Sequence, residues 1–144
     1  MKVKCVDNTG AVIPDILFTL YGYSHNMIFK GITIDETYIV YAVFIMKGVK
    51  WYLICSDDYN GVNINYPSFY PSSLFEIVDE KSSTYWVTKR MRDDYDDKQG
   101  LVLNMGFPQI INEDFFYGNL VEGHEREIII FHEYKSLIDN EYHY

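Results

Sequence analysis

The sequence is poor in cysteine and has no long apolar run, and each shortage excludes a class of protein. Only two cysteines occur among the 144 residues, Cys5 and Cys55, and they form no Cys-X-X-Cys pair. This count predicts neither a disulfide scaffold nor a zinc module. The longest apolar stretch, residues 38–46, is too short for a membrane-spanning helix, which needs about 20 residues. No secretory signal follows the basic start, so we expect a cytoplasmic protein with reduced thiols.

Basic residues are also scarce. The chain has 12 Lys and Arg against 21 Asp and Glu, which gives a net charge of −9. Because phosphate contacts require cationic side chains, direct binding to nucleic acid is not expected. The excess of acid instead favours association with a basic partner. The acids are spread through the chain, since residues 1–80 hold 5 bases and 9 acids and residues 81–144 hold 7 and 12.

Motifs of catalysis and of cofactor binding are missing as well. The sequence has no Gly-X-Ser-X-Gly elbow and no phosphate-binding glycine loop. His132-Glu133 lacks the second histidine of a zinc-protease helix, and Asp57-Asp58 falls in a predicted exposed turn. We therefore expect no enzyme, no cofactor and no metal. An enzyme would require a deep pocket that brings His25 or His132 beside carboxylates.

Residues 1–80 carry the patterns of short β-strands. Residues 2–6 alternate polar and apolar side chains, and residues 37–46 are dense in β-branched and aromatic types. Lys47-Gly48 then predicts a tight turn into a second strand at 49–55, which makes a hairpin. Further strands are predicted at 62–66, after Asn60-Gly61, and at 76–78, after a single helical turn at 71–75. Closely spaced short strands of this kind indicate a small antiparallel barrel.

Two segments of this half are ambiguous by pattern. Residues 16–23 are apolar and aromatic, which fits either a short strand or a loop that packs on the core. Pro67 and Pro71 bracket Phe69-Tyr70, and prolines are expected to interrupt regular strand pairing.

Residues 81–144 change to a mixed and then helical pattern. The pattern at residues 84–88 indicates one more strand. The polar residues 89–100 favour a loop. Asn112 can cap a helix whose first turn contains Glu113 and Asp114, with Phe115, Phe116 and Leu120 packed inward. The clearest helix runs from about residue 124 to 141. The fold predicted is α+β, a small antiparallel barrel followed by one or two C-terminal helices, in a single domain of residues 1–144.

The densest charge block is the best candidate for a partner-binding surface. It contains Asp93, Asp94, Asp96 and Asp97 around Tyr95, and it fails the spacing of a calcium-binding loop. Four close carboxylates repel one another, so a cationic partner would relieve that cost. Glu113 and Asp114 are secondary candidates. The alternative is an ordinary solvated loop.

Aromatic residues form a second candidate surface. Tyr59, Tyr66, Phe69 and Tyr70 surround the predicted 57–61 turn, where they can either line a peptide groove or fill a small core. Tyr59 and Tyr70 are the partner-binding candidates from this group. A regulatory or adaptor module that binds a peptide or a protein through these residues is therefore one hypothesis for the function.

The chain also resembles a group of small stand-alone bacterial proteins. The similarity includes Trp51-Tyr52-Leu53-Ile54-Cys55 and other segments in both halves, namely residues 32–34, 38–41, 57–58, 70–79, 115–120, 125–128 and 133–135. The group usually has Gly-Lys before the Tyr of its second strand, whereas this chain has Asp35-Glu36-Thr37 there.

This resemblance implies both a fold and a function. The first half of the group looks like an SH3-like barrel, which assigns residues 1–80 to that barrel and residues 81–144 to an extension packed on it. Members resemble the immunity proteins that accompany bacterial toxins and act by binding a cognate toxin. The implied partner is a cognate toxin protein, which the acidic balance of this chain predicts to be basic, and the adaptor module is the alternative. The pattern transfers no catalytic residue.

Overall fold

The polypeptide folds into two antiparallel sheets and a set of α-helices. The computed structural model describes residues 1–57, 67–92 and 101–142. Within these ranges the architecture is α+β, and a long helix lies at the C-terminal end. The predicted class and the antiparallel pairing are confirmed.

The smaller sheet has three strands, which come from distant parts of the chain. Strand β1 (Lys2–Cys5) lies in the centre, between β2 (Thr37–Ile39) and β6 (Phe75–Asp79), and both pairings are antiparallel. The predicted strands at 2–6 and 76–78 are confirmed. A short 3₁₀ turn at Ser72–Leu74 leads into β6, as predicted.

The larger sheet has five strands in the order β5-β4-β3-β8-β7. Its strands are β3 (Ala42–Met46), β4 (Val49–Cys55), β5 (Pro67–Pro71), β7 (Val87–Arg92) and β8 (Leu101–Gly106). Strands β3 and β4 form the predicted hairpin, and both turn residues, Lys47 and Gly48, have positive φ. Because β8 pairs with β3, the sheet takes strands from both sides of residue 80.

The single strand predicted at 37–46 is wrong, because the structure divides it. Strand β2 pairs with β1 in the small sheet, whereas β3 pairs with β4 in the large sheet. Val40 and Tyr41 connect the two strands, and both are buried. The apolar run is unbroken because the connection is buried too, Val40 in the core shared with the small sheet and Tyr41 in the core beneath the C-terminal helices.

Three other local predictions are corrected. Residues 16–21 form helix α1 (Ile16–Tyr21), which ends at Gly22 with a left-handed backbone. Strand β5 pairs regularly with β4 in spite of its prolines, because it lies at the sheet edge, where a missing N–H is tolerated. The basic residues 89–92, predicted in a loop, form most of β7.

Three helices follow the sheets. They are α2 (Pro108–Asn112), α3 (Phe116–Val121) and α4 (Glu125–Glu141). Asn112 ends α2 and does not start a helix, so the predicted cap is wrong. Phe116 and Leu120 are buried as predicted, whereas Phe115 is exposed. The long C-terminal helix is confirmed within one residue of its predicted start.

The large sheet lies between two apolar cores. Tyr52 and Ile54 of β4 face the core shared with the small sheet and α1, whereas Leu53 and Cys55 face the core beneath the C-terminal helices. Both faces of β4 are therefore covered along residues 51–55, which explains why that stretch is continuously apolar. No helix in the described ranges combines the length and apolar composition of a membrane span.

Candidate partner-binding site

Most of the predicted binding residues are not covered by the structure. Asp93, Asp94, Tyr95, Asp96 and Asp97 lie outside the described residues, as do Tyr59 and Tyr66. The docking role of the aspartate block, and of Tyr59, stays a prediction. The predicted site residues within the described ranges are Tyr70, Glu113 and Asp114.

Tyr70 belongs to the core and not to an open groove. Its side chain is 9% exposed, and its ring has edge contacts with Phe29 and Phe75. The hydroxyl group lies 2.9 Å from Ser56 Oγ, and burial raises the pKa of Tyr70 above its usual value. The neighbouring Phe69 is half-buried between Phe44 and Tyr117. Of the two predicted roles for these aromatic residues, a peptide groove or core packing, the burial of Phe69 and Tyr70 favours core packing.

Glu113 and Asp114 lie in the turn between α2 and α3, together with Phe115. Phe115 is 79% exposed, the highest value among the large apolar side chains that the structure describes. Asp114 is also exposed. The turn therefore presents an aromatic ring and a carboxylate side by side in solvent.

The start of α4 lies against this turn. The guanidinium of Arg126 donates to both carboxylate oxygens of Glu113, at 2.8 Å to Oε1 and 3.0 Å to Oε2. These hydrogen bonds hold the pKa of Glu113 below its usual range. They also raise the pKa of Arg126. This two-pronged pair joins the α2–α3 turn to α4.

We define the acidic corner as Glu113, Asp114, Phe115, Glu122 and Glu125. Residues 113–127 contain 5 acids and 1 base, and 1 − 5 = −4, which is a large part of the total charge of −9. Glu125 and Glu127 lie in the first turn of α4. The partial positive charge of a helix N-terminus stabilises carboxylates at that position. Glu113, Asp114, Glu122 and Glu125 are exposed or half-buried, so these four carboxylates carry the negative charge of the corner at the surface.

Glu127 differs from the other acids of this region because it is buried. It is 4% exposed, and its Oε2 atom has no hydrogen-bond donor among the described residues. Oε2 lies 3.6 Å from Nη1 of Arg126, which is too long for a hydrogen bond. Arg126 therefore donates two hydrogen bonds to Glu113 and meets Glu127 only as a longer ion contact.

The corner was only partly predictable from sequence. The pattern placed Phe115 inward because it started the helix at Asn112, whereas α3 begins at Phe116. This shift of register places Phe115 in solvent. Arg126 and Glu127 were not identified as site residues, although a base between two glutamates at a helix start was a usable signal.

Other polar groups of interest have structural partners. Asp57 accepts hydrogen bonds from Tyr38 and from Thr33 Oγ1, the latter at 2.7 Å, so its carboxylate holds the 33–38 segment to the end of β4. Within the described ranges no three His, Cys, Asp or Glu side chains are grouped to hold a metal ion. His132 and Glu133 line an open groove on α4 with Ile129 and Leu137.

No protein-family model, curated protein sequence or solved structure shows a significant match to this chain. The acidic corner is accordingly interpreted from its own charges and contacts.

Proposed function

We propose that this protein is an immunity protein that binds a cognate bacterial toxin and neutralises it through an acidic and aromatic surface. The observation that carries the proposal is the exposed Phe115, which lies beside Asp114 in a segment of net charge −4. Asp93, Asp94, Asp96 and Asp97 lie outside the described residues, and their docking role is part of the same proposal. The proposed site of action is the bacterial cytoplasm, and the proposed role requires no catalysis.

An exposed aromatic ring has a physical cost in a free protein. Covering such a ring removes apolar surface from water, so Phe115 would contribute favourable free energy to a complex in which a partner covers it. Aromatic residues at the centre of interfaces often contribute a large share of the binding free energy. Phe115 is therefore the proposed anchor of the complex.

The surrounding carboxylates determine the kind of partner. A negative surface accelerates association with a positive one, and the effect falls as salt is added. A nuclease toxin must carry cationic side chains to hold its nucleic acid. A basic toxin domain is thus the partner that best matches the acidic corner.

The finer fold belongs to the same proposal. We assign residues 1–80 to an SH3-like barrel. Support comes from the small sheet and strands β3–β5, which enclose one apolar core, and from the 3₁₀ turn that leads into β6.

The proposal is tested with the protein encoded beside this gene. That protein is expressed in bacteria with and without this chain, and growth is measured. The purified complex is then characterised by light scattering and by calorimetry at two salt concentrations. We expect restored growth, a one-to-one complex and weaker binding at the higher salt.

Two substitutions examine the surface. Asp114→Lys and Phe115→Ala are each expected to weaken binding by about tenfold or more. The matched controls are Glu36→Lys, which makes the same charge change at an exposed position, and Ile34→Ala, which truncates another exposed apolar side chain. An unchanged affinity in the doubly substituted Asp114→Lys, Phe115→Ala protein would reject the acidic corner as the binding surface. Failure of the neighbouring protein to bind at all would reject the immunity function.

A further inference from the structure

One guanidinium group stands between two carboxylates at the acidic corner. Arg126 makes two hydrogen bonds to Glu113 and a longer ion contact of 3.6 Å to Glu127. The Arg126 side chain is 58% exposed, whereas the Glu127 side chain is 5% exposed. The cation therefore covers a buried carboxylate from the solvent side.

The carboxylate behind Arg126 is incompletely satisfied. A buried carboxylate normally accepts hydrogen bonds, because it has lost those made by water. Glu127 Oε2 accepts none from the described residues. The two carboxylates on either side of the Arg126 guanidinium thus carry the charge to hold a cation, and Glu127 Oε2 retains an unused acceptor position.

We propose that Glu113 and Glu127 form a binding site for an arginine side chain of the basic partner, and that Arg126 occupies this site in the free protein. On binding, the partner's guanidinium replaces that of Arg126. This site deepens the proposed function and rests on it, since it specifies which group of the toxin is recognised.

The geometry favours arginine over lysine as the incoming group. A planar guanidinium donates two parallel hydrogen bonds to a carboxylate, as Arg126 does to Glu113, whereas an ammonium is a point charge. The exposed ring of Phe115, two residues from Glu113, also offers a face on which a guanidinium can stack. The Arg126–Glu113 pair is exposed and such pairs contribute little, so exchanging its guanidinium for one supplied by the partner costs little while Glu127 keeps a cation beside it.

The test is an NMR titration of the full-length ¹⁵N-labelled protein. The probes are two capped tripeptides, Arg-Arg-Arg and Lys-Lys-Lys. Arg126→Gln removes the internal competitor, and Lys50→Gln is the matched control because it removes one exposed positive charge elsewhere. We expect the arginine peptide to bind Arg126→Gln about two- to fivefold more tightly than the unaltered protein. Lys50→Gln should leave the affinity unchanged, and the lysine peptide should bind more weakly throughout.

Glu127→Gln completes the test, because it removes the buried charge. It is expected to abolish most of the shifts that the arginine peptide causes at residues 113–127. If Arg126→Gln binds the peptide no more tightly, or more weakly, Arg126 is only a link between the turn and the helix, and the proposal is wrong. An equal gain in affinity for the arginine peptide in Lys50→Gln would also reject the proposal, since the change in net charge would then explain the tighter binding.

Two further measurements distinguish failure of the arginine site from a folding defect and from failure of the immunity function. If Arg126→Gln loses its native circular dichroism, Arg126→Lys replaces it, since lysine keeps the charge and loses the two-pronged hydrogen bond. Tighter peptide binding is still expected there, and its absence in a folded Arg126→Lys protein rejects the site. A toxin that binds the acidic corner without this response rejects only the arginine site. A clear peptide response with no toxin bound rejects only the immunity function.

Discussion

Tyr41 donates its hydroxyl hydrogen bond to Asp139 Oδ1, although the two residues are 98 positions apart. The other carboxylate oxygen of Asp139 accepts from Lys135 Nζ at 2.6 Å, within the same helix. The Lys135 ammonium also lies 5.8 Å from the centre of the Tyr41 ring. These contacts hold α4 against the start of β3, so one carboxylate links the longest helix to the large sheet.

Loss of the Tyr41 hydroxyl is expected to loosen this link. Tyr41→Phe should lower the free energy of unfolding by about 1.5–3 kcal/mol, because the hydroxyl donates to a charged acceptor in a buried setting. The measurement is urea denaturation followed by circular dichroism. Tyr85→Phe, at an exposed tyrosine, is the control and should stay within about 0.5 kcal/mol of the unaltered protein. Equal effects of the two substitutions would contradict a linking role for Tyr41.

Truncation of two phenylalanines in the helical part should have very different effects on stability, because one is buried and the other is exposed. Phe131 is fully buried against Phe107 and Tyr41, so Phe131→Ala should cost about 3–5 kcal/mol of unfolding free energy. Phe115→Ala deletes the same ring atoms at a position where they are exposed to solvent, so it should change the unfolding free energy by less than about 0.5 kcal/mol. Thermal and urea unfolding measure both. A large loss of stability in Phe115→Ala would mean that its ring is part of the core.

Because the Cys55 thiol is buried, we expect the free energy of unfolding to fall at alkaline pH. Burial raises the pKa of the Cys55 thiol to about 12. The unfolded chain, with a thiol pKa of about 8.5, loses this proton first as the pH rises. The contribution of the thiol is therefore complete below about pH 8.5 and is lost as the pH approaches 12.

The experiment compares the unaltered protein with Cys55→Ala under reducing conditions. The difference in unfolding free energy between them should fall from pH 8 to pH 10.5, by at most about 1.4 kcal/mol per pH unit. Thr19→Ala, at an exposed residue that does not titrate, should show a constant difference. A difference that stays constant for Cys55→Ala as well would show that the thiol titrates normally in the folded protein.

We expect the Asn104 side chain to stabilise the point at which strands β3 and β8 separate. Their backbones pair only at Ala42–Gly106 and Val43–Met105, and beyond this point Asn104 Oδ1 accepts from the Ile45 N–H at 2.9 Å. Asn104 is buried, so Asn104→Ala leaves a backbone donor without its acceptor at a cost of about 1–3 kcal/mol. Hydrogen exchange should become faster at the Ile45 amide. The control Leu103→Ala alters the exposed neighbour, and the interpretation fails if it accelerates the exchange equally.

The candidate site shows the limits of local pattern. The sequence already gives the acidic charge and the aromatic content, and it names Glu113 and Asp114 as candidates whose role stays a prediction. The exposure of Phe115 could not, because it depends on a helix boundary that shifts by a few residues when Pro108 and the core residues position α2. The contact between Glu113 and Arg126 also depends on how α3 and α4 fold back on the turn.

The sequence by itself determined the α+β class, a hairpin that turns at Lys47-Gly48, the C-terminal helix and the acidic balance, since strand alternation, helical period and turn chemistry all act over a few residues. Tertiary structure alone decided that residues 37–46 serve two sheets, that Phe115 faces water, and that Tyr41 meets Asp139. Those outcomes depend on which distant segments pack together, because the burial of apolar surface is shared across the whole core. No local periodicity contains that information.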